Sequence, residues 1–338
     1  MIRTNFLLER LVDVFSELCG NFGPRRTKFP HTSSRMLLGA SASPRTLRIL
    51  HAVALLAAVA VAFPVRADVQ LPLKSYGQEL VDQAVAHNPG LLVIVMHVSP
   101  PDVTNYPIIA SNIGRIGKVA DEDDMRVITT EKTNLEVAHS GTRFEVELVM
   151  RDVAGNNIGA LGLVFPYKQG DNKTALEKKA FTLRDSLAKR ILEARTLVET
   201  HPLSALATTK THAQKLLDET MAKHPELNVL AMHVTPPKAT DNIIIASSFG
   251  RIGKKADDDD AKVIATGQAR AGAYSNGKRY GVELPLLDTA GNTVGALSVG
   301  WPYRKGDDEK VFIAKAAKVR DELRQRIPSI EKLVELDP

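Results

Sequence analysis

Hydrophobic positions change period along the chain, and each change marks an element. Leu80, Val81, Ala84 and Val85 share one helical face, and that spacing stops at Asn88-Pro89-Gly90, the residues that end helices and begin turns. Leu91–Val98 is a continuous apolar run of strand length, stopped by Pro100-Pro101, and Ile108–Ile113 reads as a second strand. Gly114–Lys118 reads as a loop. Asp121–Thr129 reads as a short helix whose acidic start suits the positive end of the helix dipole. Leu135–His139 predicts a short third strand. Arg143–Asp152 alternates, Ala154-Gly155-Asn156 supplies turn chemistry, and Ile158–Phe165 returns as a hairpin partner. From Gly170-Asp171 onward, Leu176, Ala180, Leu183, Leu187, Ile191, Ala194 and Leu197 form one stripe at helical spacing, which predicts a long C-terminal helix.

The same pattern is written twice. Met96-His-Val-Ser-Pro-Pro101 returns as Met232-His-Val-Thr-Pro-Pro237, 136 residues later and without a gap. Ile109–Lys118 returns as Ile245–Lys254, Asp152–Asn156 as Asp288–Asn292, and Pro166–Asp171 as Pro302–Asp307. The second stripe is Phe312, Ala316, Val319, Leu323, Ile327, Ile330 and Leu333, with Pro328 where the first copy has Leu192, so a bend or break is expected there. Units of this length are of domain size, and too long for solenoid repeats. The expected organisation is a leader at 1–67, one domain at 68–202 and its copy at 203–338. The order helix, two strands, loop with short helix, three strands, helix predicts an α+β domain with an antiparallel sheet.

This order, the Ile-Ala-Ser…Gly-x-x-Gly-Lys stretch, the acidic Asp121–Asp124 segment and Val146-Glu-Leu…Asp152…Gly155…Gly159-Ala-Leu161 resemble the extracytoplasmic Cache (PAS-like) sensor family. The resemblance covers nearly all of each copy. It implies two tandem PAS/Cache-like domains, each a five-stranded antiparallel sheet flanked by an N-terminal and a long C-terminal helix. One sheet face, roofed by a loop, would hold a small ligand. Family members usually precede a membrane helix and a signalling domain. With no such output here, the resemblance implies delivery to a separate partner or a scavenging role.

Charge narrows the class. Residues 1–67 hold nine basic and three acidic side chains, and the other 271 residues hold 35 basic against 36 acidic. The basic excess belongs to the leader, so the folded part carries no nucleic-acid footprint. Within the leader, Ile49–Phe63 is a mostly apolar run preceded by Arg45 and Arg48 and followed by Pro64-Val65-Arg66-Ala67. That is the layout of a secretory signal peptide with cleavage after Ala67, and the run is short for a permanent anchor. A periplasmic or secreted protein with no membrane span after cleavage is expected. Cys19 is the only cysteine. The mature chain would have no disulfide, no thiolate nucleophile and no cysteine-based metal site.

Candidate chemistry lies on the strand 143–150. Arg143, Glu145, Glu147 and Val149 point one way, and Phe144, Val146, Leu148 and Met150 the other. The second copy sets Arg279, Gly281 and Glu283 against Tyr280, Val282 and Leu284. A guanidinium suits a ligand carboxylate and a glutamate suits an amine, although an Arg–Glu pair on a solvated face explains the same residues. Arg115 and Arg251, in the Gly114 and Gly250 loops, add candidate anion contacts, and Tyr167 and Tyr303 candidate rim aromatics. The loop spacing is too short for a phosphate-binding Gly-x4-Gly-Lys pattern. The acidic runs lack the calcium-loop pattern and read as helix starts. His97 and His233, beside Met96 and Met232, read as partly buried hydrogen-bonded histidines. No Gly-x-Ser-x-Gly, His-Glu-x-x-His or other catalytic arrangement occurs, so no enzyme activity and no cofactor is expected. The expectation is an exported protein without an output domain that binds a small organic or amino acid through Arg115, Arg143, Glu147, Tyr167, Arg251, Arg279, Glu283 and Tyr303. A structural or interaction protein with an envelope partner, and a metal or haem carrier, are the alternatives.

Overall fold

In the computed structural model, which describes residues 73–337, the order of helices and sheet strands in the first copy recurs in the second. The leader, the expected cleavage site and Cys19 lie outside the described residues. Strand β1 (Lys74–Ser75) leads into helix α1 (Tyr76–His87), whose first turn is capped by the Ser75 hydroxyl accepting from the Gln78 amide. Strands β2 (Val93–Val98) and β3 (Ile108–Ser111) follow, then the short acidic helix α2 (Glu122–Thr130). Strands β4 (Asn134–Ala138), β5 (Arg143–Arg151) and β6 (Asn157–Pro166) precede helix α3 (Lys173–Ala188). Strand β7 (Thr200–His201) pairs antiparallel with β1, so the start and end of this copy meet.

The second copy has helix α4 (His212–Lys223), strands β8 (Val229–Val234) and β9 (Ile243–Ser247), and helix α5 (Asp258–Thr266). Strands β10 (Arg270–Tyr274), β11 (Arg279–Leu287) and β12 (Thr293–Pro302) come next, then helices α6 (Glu309–Arg324) and α7 (Ile330–Val334). Its ends also meet, through a bridge between Thr211 and Leu336. The result is α+β with two five-stranded sheets in which every paired strand is antiparallel, ordered β3-β2-β6-β5-β4 and β10-β11-β12-β8-β9. Among the described residues no helix is long and apolar enough to cross a membrane.

Alternation along the strands decides which sheet face becomes core. In β5, Phe144, Val146, Leu148 and Met150 are buried against Leu80, Val81 and Ala84 of α1 and Ala180, Leu183 and Leu187 of α3. Tyr280, Val282, Leu284 and Leu286 do the same in the second copy, with Trp301 beside them. One close approach ties β6 to β2. Gly159 has φ +148, and a Cβ there would stand 1.9 Å from the His97 carbonyl oxygen; at Gly295 the clash is with His233 at the same distance. Only glycine lets the central strands come this close.

The expected single C-terminal helix is corrected. It breaks at residues 189–193 in the first copy, before a short 3-10 turn over Ala194–Val198, and α6 and α7 are likewise separate. The break expected at Pro328 is present, and the first copy breaks at the same place without a proline, so proline is not required for it. The Ile191 carbonyl accepts from the Val153 amide at 2.8 Å and the Ile327 carbonyl from Thr289 at 2.9 Å, so the turn after β5 takes the acceptor that a continuing helix would need. The apolar stripe runs on because Ile191 and Leu197 stay buried after the chain changes course.

Candidate functional site

The outer sheet faces carry the polar residues that sequence reasoning singled out. The expected roof is corrected: the Gly114–Lys118 loop stays exposed and does not cover the first face. Helix α2 covers it, laying Val127 and Ile128 on Val149 and Ala160. That helix starts where Asp121 and Asp124 cap each other reciprocally, and α5 starts the same way with Asp257 and Asp260. The acidic runs are thus helix starts, and each delivers one buried aspartate to the sheet. His97 Nε2 lies 3.4 Å from Asp124 Oδ2 while its Nδ1 is 2.9 Å from the Tyr106 carbonyl. His233 Nδ1 lies 3.1 Å from Asp260 Oδ2, and its Nε2 is 3.4 Å from Ser298 Oγ.

In the second copy these groups surround a cavity of about 150 Å³ lined by His233, Asp260, Tyr274, Arg279, Glu283 and Ser298, among others. Gly281 and Gly300 leave its floor without side chains, and the Tyr274 ring lies over Gly281. The Arg279 guanidinium sits 5.6 Å from the centre of that ring. Its Nη1 is buried without a hydrogen-bond partner, as is Asp260 Oδ1. Burial pulls the Arg279 guanidinium down from its usual range, and the charges of Glu193 and Asp152 oppose this. Burial pushes the Glu283 carboxyl up to about 7, helped by the negative charges of Asp260 and Asp257. Burial also raises Asp260, but the His233 imidazole outweighs it and holds that carboxyl below the usual range.

The first copy supplies one wall. Val153 and Leu192, from the turn after β5 and the break after α3, pack on Val229, Ala231 and Phe249. The Asn228 side chain donates to the Val153 carbonyl at 3.4 Å. Arg251 lines the cavity, but its guanidinium is taken by Glu199 through Nε and Nη2 at 2.9 and 3.1 Å, and Lys254 joins at 2.8 Å. It is a clamp between the copies and not a free anion contact. Its counterpart Arg115 is exposed and makes no ion pair among the described residues.

The first copy's face is built differently. Glu145 and Val164 stand where the second copy has Gly281 and Gly300. Burial pushes Glu147 up to about 7 even though Asn134 donates to it at 3.0 Å, and burial with the Glu136 charge raises Glu145. Arg143 is half-buried and makes no ion pair among the described residues. Tyr167 and Tyr303 do not join either face. Each packs on the core side, Tyr167 beside Phe144 and Tyr303 beside Tyr280 and Phe312, because they follow the last strand on its helix side.

Strand alternation places Arg279 and Glu283 on one face, and the structure adds His233, Asp260, Tyr274, Ser298 and Leu192 around them. The outward registers of β8 and β12 could have added His233 and Ser298; nothing local marks Leu192. A wider cleft of about 450 Å³ lies between α1 and α4, near Tyr76, His201 and Gln214. Its carboxylates are already partnered, Glu79 with Lys74 at 2.6 Å and Asp218 with Gln214 at 2.9 Å, while Lys189 and Arg190, which also line it, make no ion pair among the described residues. Among the described residues no group of three or more His, Cys, Asp or Glu side chains is placed to hold a metal ion.

No protein-family model matches the chain, and no curated protein matches its sequence. It is similar to a crystal structure titled PelD 158-CT from Pseudomonas aeruginosa PAO1, with 13% identity over 76% of this chain and 79% of that one. The TM-score of 0.24 is too low to carry an argument about fold or function.

Proposed function

We propose that this protein is an exported binder of a small zwitterion or organic acid, built from two PAS/Cache-like domains, with its better-formed site in the second copy. The observation that carries this reading is the buried Arg279 guanidinium, with Nη1 unpartnered, facing a cavity that also holds Glu283. A buried, unsatisfied cation is costly unless a partner arrives. A ligand carboxylate supplies that partner, and an ammonium group is received by Glu283. A cavity of about 150 Å³ accommodates about six non-hydrogen atoms, the size of benzene. This favours the smallest amino acids and short carboxylic acids. Export rests on the leader sequence. Isothermal titration at pH 8 against amino acids and short carboxylic acids tests the reading. Binding by the unaltered chain and its loss in Arg279→Gln support it. An absence of both heat and melting shift across the panel overturns it.

A further inference from the structure

The contact between the two copies is one-directional. The tail of the first copy, Val153 and Leu192, sits on the outer sheet face of the second. Among the described residues, that leaves two surfaces of the same kind without a partner, the part of the first copy's outer face beyond α2 and the tail of the second. On the unused face, Leu92, Ile113 and Ile116 are 41%, 46% and 60% exposed. Their counterparts are Asn228, Phe249 and Ile252. Phe249 is only 5% exposed, under Leu192; Asn228 bonds the first copy; and Ile252 lines the cleft between the copies. The apolar exposure of the first copy therefore falls where the second copy is covered, which is how an interaction surface differs from scattered surface hydrophobics.

The unused tail has changed in a compensating sense. Thr289 stands for Val153, an isosteric change, and Pro328 stands for Leu192 and is smaller; both are exposed. The facing surface gains bulk with Val95 for Ala231 and Val164 for Gly300, and loses some with Ile113 for Phe249. A fuller face thus meets a smaller plug. Charge is matched in part. Glu193 and Asp152 of the tail act on Arg279 in the internal contact; the counterpart of Glu193 is the neutral Ser329, but Asp288, the counterpart of Asp152, would meet Arg143, which has no ion-pair partner among the described residues.

We infer that chains of this protein associate head to tail, the second-copy tail of one chain docking on the first-copy outer face of the next through the contact already made within each chain. A contact of this type is heterologous, so it builds open rows unless its rotation closes a ring. The inference does not depend on ligand binding.

Sedimentation velocity of protein expressed from its full-length gene, over a wide concentration range, tests it. The sedimentation coefficient is expected to rise with concentration. Ile113→Asp spoils the face and Thr289→Arg the tail; both positions are exposed, so neither substitution removes core packing, and far-UV circular dichroism checks the fold. Each variant alone is expected to remain a monomer, while an equimolar mixture forms a dimer of twice the chain mass, since each retains one sound surface. Ile116→Asp should behave as Ile113→Asp does. A chain that is monomeric at every concentration overturns the inference. So does assembly that survives Thr289→Arg, which would indicate a face-to-face contact, or a mixture that yields no dimer.

Discussion

Replacing Glu283 by glutamine isolates the electrostatics of the second-copy face. The substitution keeps the side-chain shape and removes the ability to ionise. In the folded chain burial holds this carboxyl at about 7, against a reference of 4.5. Folded protein therefore binds the proton more tightly than unfolded protein does. Between those two values the folded state carries more bound protons, so this group makes stability fall as pH rises, with the loss complete above about 7. A shift from about 4.5 to about 7 corresponds to ~3 kcal/mol. Since the group is only half-buried, solvent screening reduces the expected effect to about 2 kcal/mol. Glu283→Gln should thus have little differential effect at pH 4.5 and should be stabilised relative to the unaltered chain by about 2 kcal/mol at pH 8.

The molecule carries its own reporter. Its single tryptophan, Trp301, is 2% exposed in the core of the second copy. Urea unfolding followed by tryptophan fluorescence therefore reads the half of the chain that holds Glu283. Comparing variant and parent at each pH cancels the titration of every other group, provided their couplings to Glu283 are small. Added salt should shrink the part due to Asp260 and Asp257, and leave the burial part. A stability difference of the same size at pH 4.5 and pH 8, or one that shrinks as pH rises, refutes the reasoning. It would mean that water reaches the carboxylate freely, and with that the enclosed face is lost.

Three further outcomes are expected. Gly295→Ala would place a methyl group 1.9 Å from the His233 backbone oxygen; it should cost more than about 3 kcal/mol or prevent folding, read by the same fluorescence melt. Glu199→Gln leaves Arg251 and Lys254 without their shared carboxylate, so it should cost about 2 kcal/mol, and hydrogen exchange should rise at the Gly250–Lys254 loop first. Leu192→Ala removes a side chain from the wall over Phe249, at about 2 kcal/mol. Although Leu192 belongs to the first copy, its loss should lower the Trp301-reported midpoint of the second.

Much of this architecture is legible in the chain because period-two alternation is so regular in β5 and β11. Phe144 through Met150 and Tyr280 through Leu286 sort themselves into core and outer face without reference to tertiary structure. The long duplication doubles the signal at every element. The break after α3 is less legible. Ile191 and Leu197 keep helical spacing across it, and what stops the helix is the Ile191 carbonyl bonding to Val153, a partner nearly forty residues away. The site is legible only by strand. Arg279 and Glu283 share one alternation, whereas Asp260 arrives from the start of a helix and Leu192 from the other copy. Arg251 is illegible for the same reason: a guanidinium in a glycine-flanked loop has no partner in its own segment, and Glu199 reaches it from the other copy.

The two outer faces, nearly identical in outline, have been put to different use by a handful of positions. Where the second copy has Gly281 and Gly300, the first has Glu145 and Val164; a carboxylate and two methyl groups fill the floor that is open in the other. Where the second has Phe249 covered by its neighbour, the first has Ile113 in solvent. A site needs both an unfilled floor and a wall that excludes water, since an arginine without a partner attracts a ligand anion strongly only in a low-dielectric setting. The second face has both, with the wall on loan from the first copy. The first face has a filled floor and, beyond the part that α2 covers, no wall like Leu192; what it presents there is apolar surface and Arg143, which makes no ion pair among the described residues. The contact that completes the second face is therefore the same contact whose absence leaves the first one open. Separating the copies should damage the Arg279 cavity even if each half folds: under the proposed function, a chain with Leu192→Asp, which keeps every residue on the second copy's own strands, should bind any small acid that the parent binds in the titration panel more weakly than the parent does. Unchanged affinity in that variant would show that the second copy forms its site unaided, and that the pairing of copies serves only to hold them together.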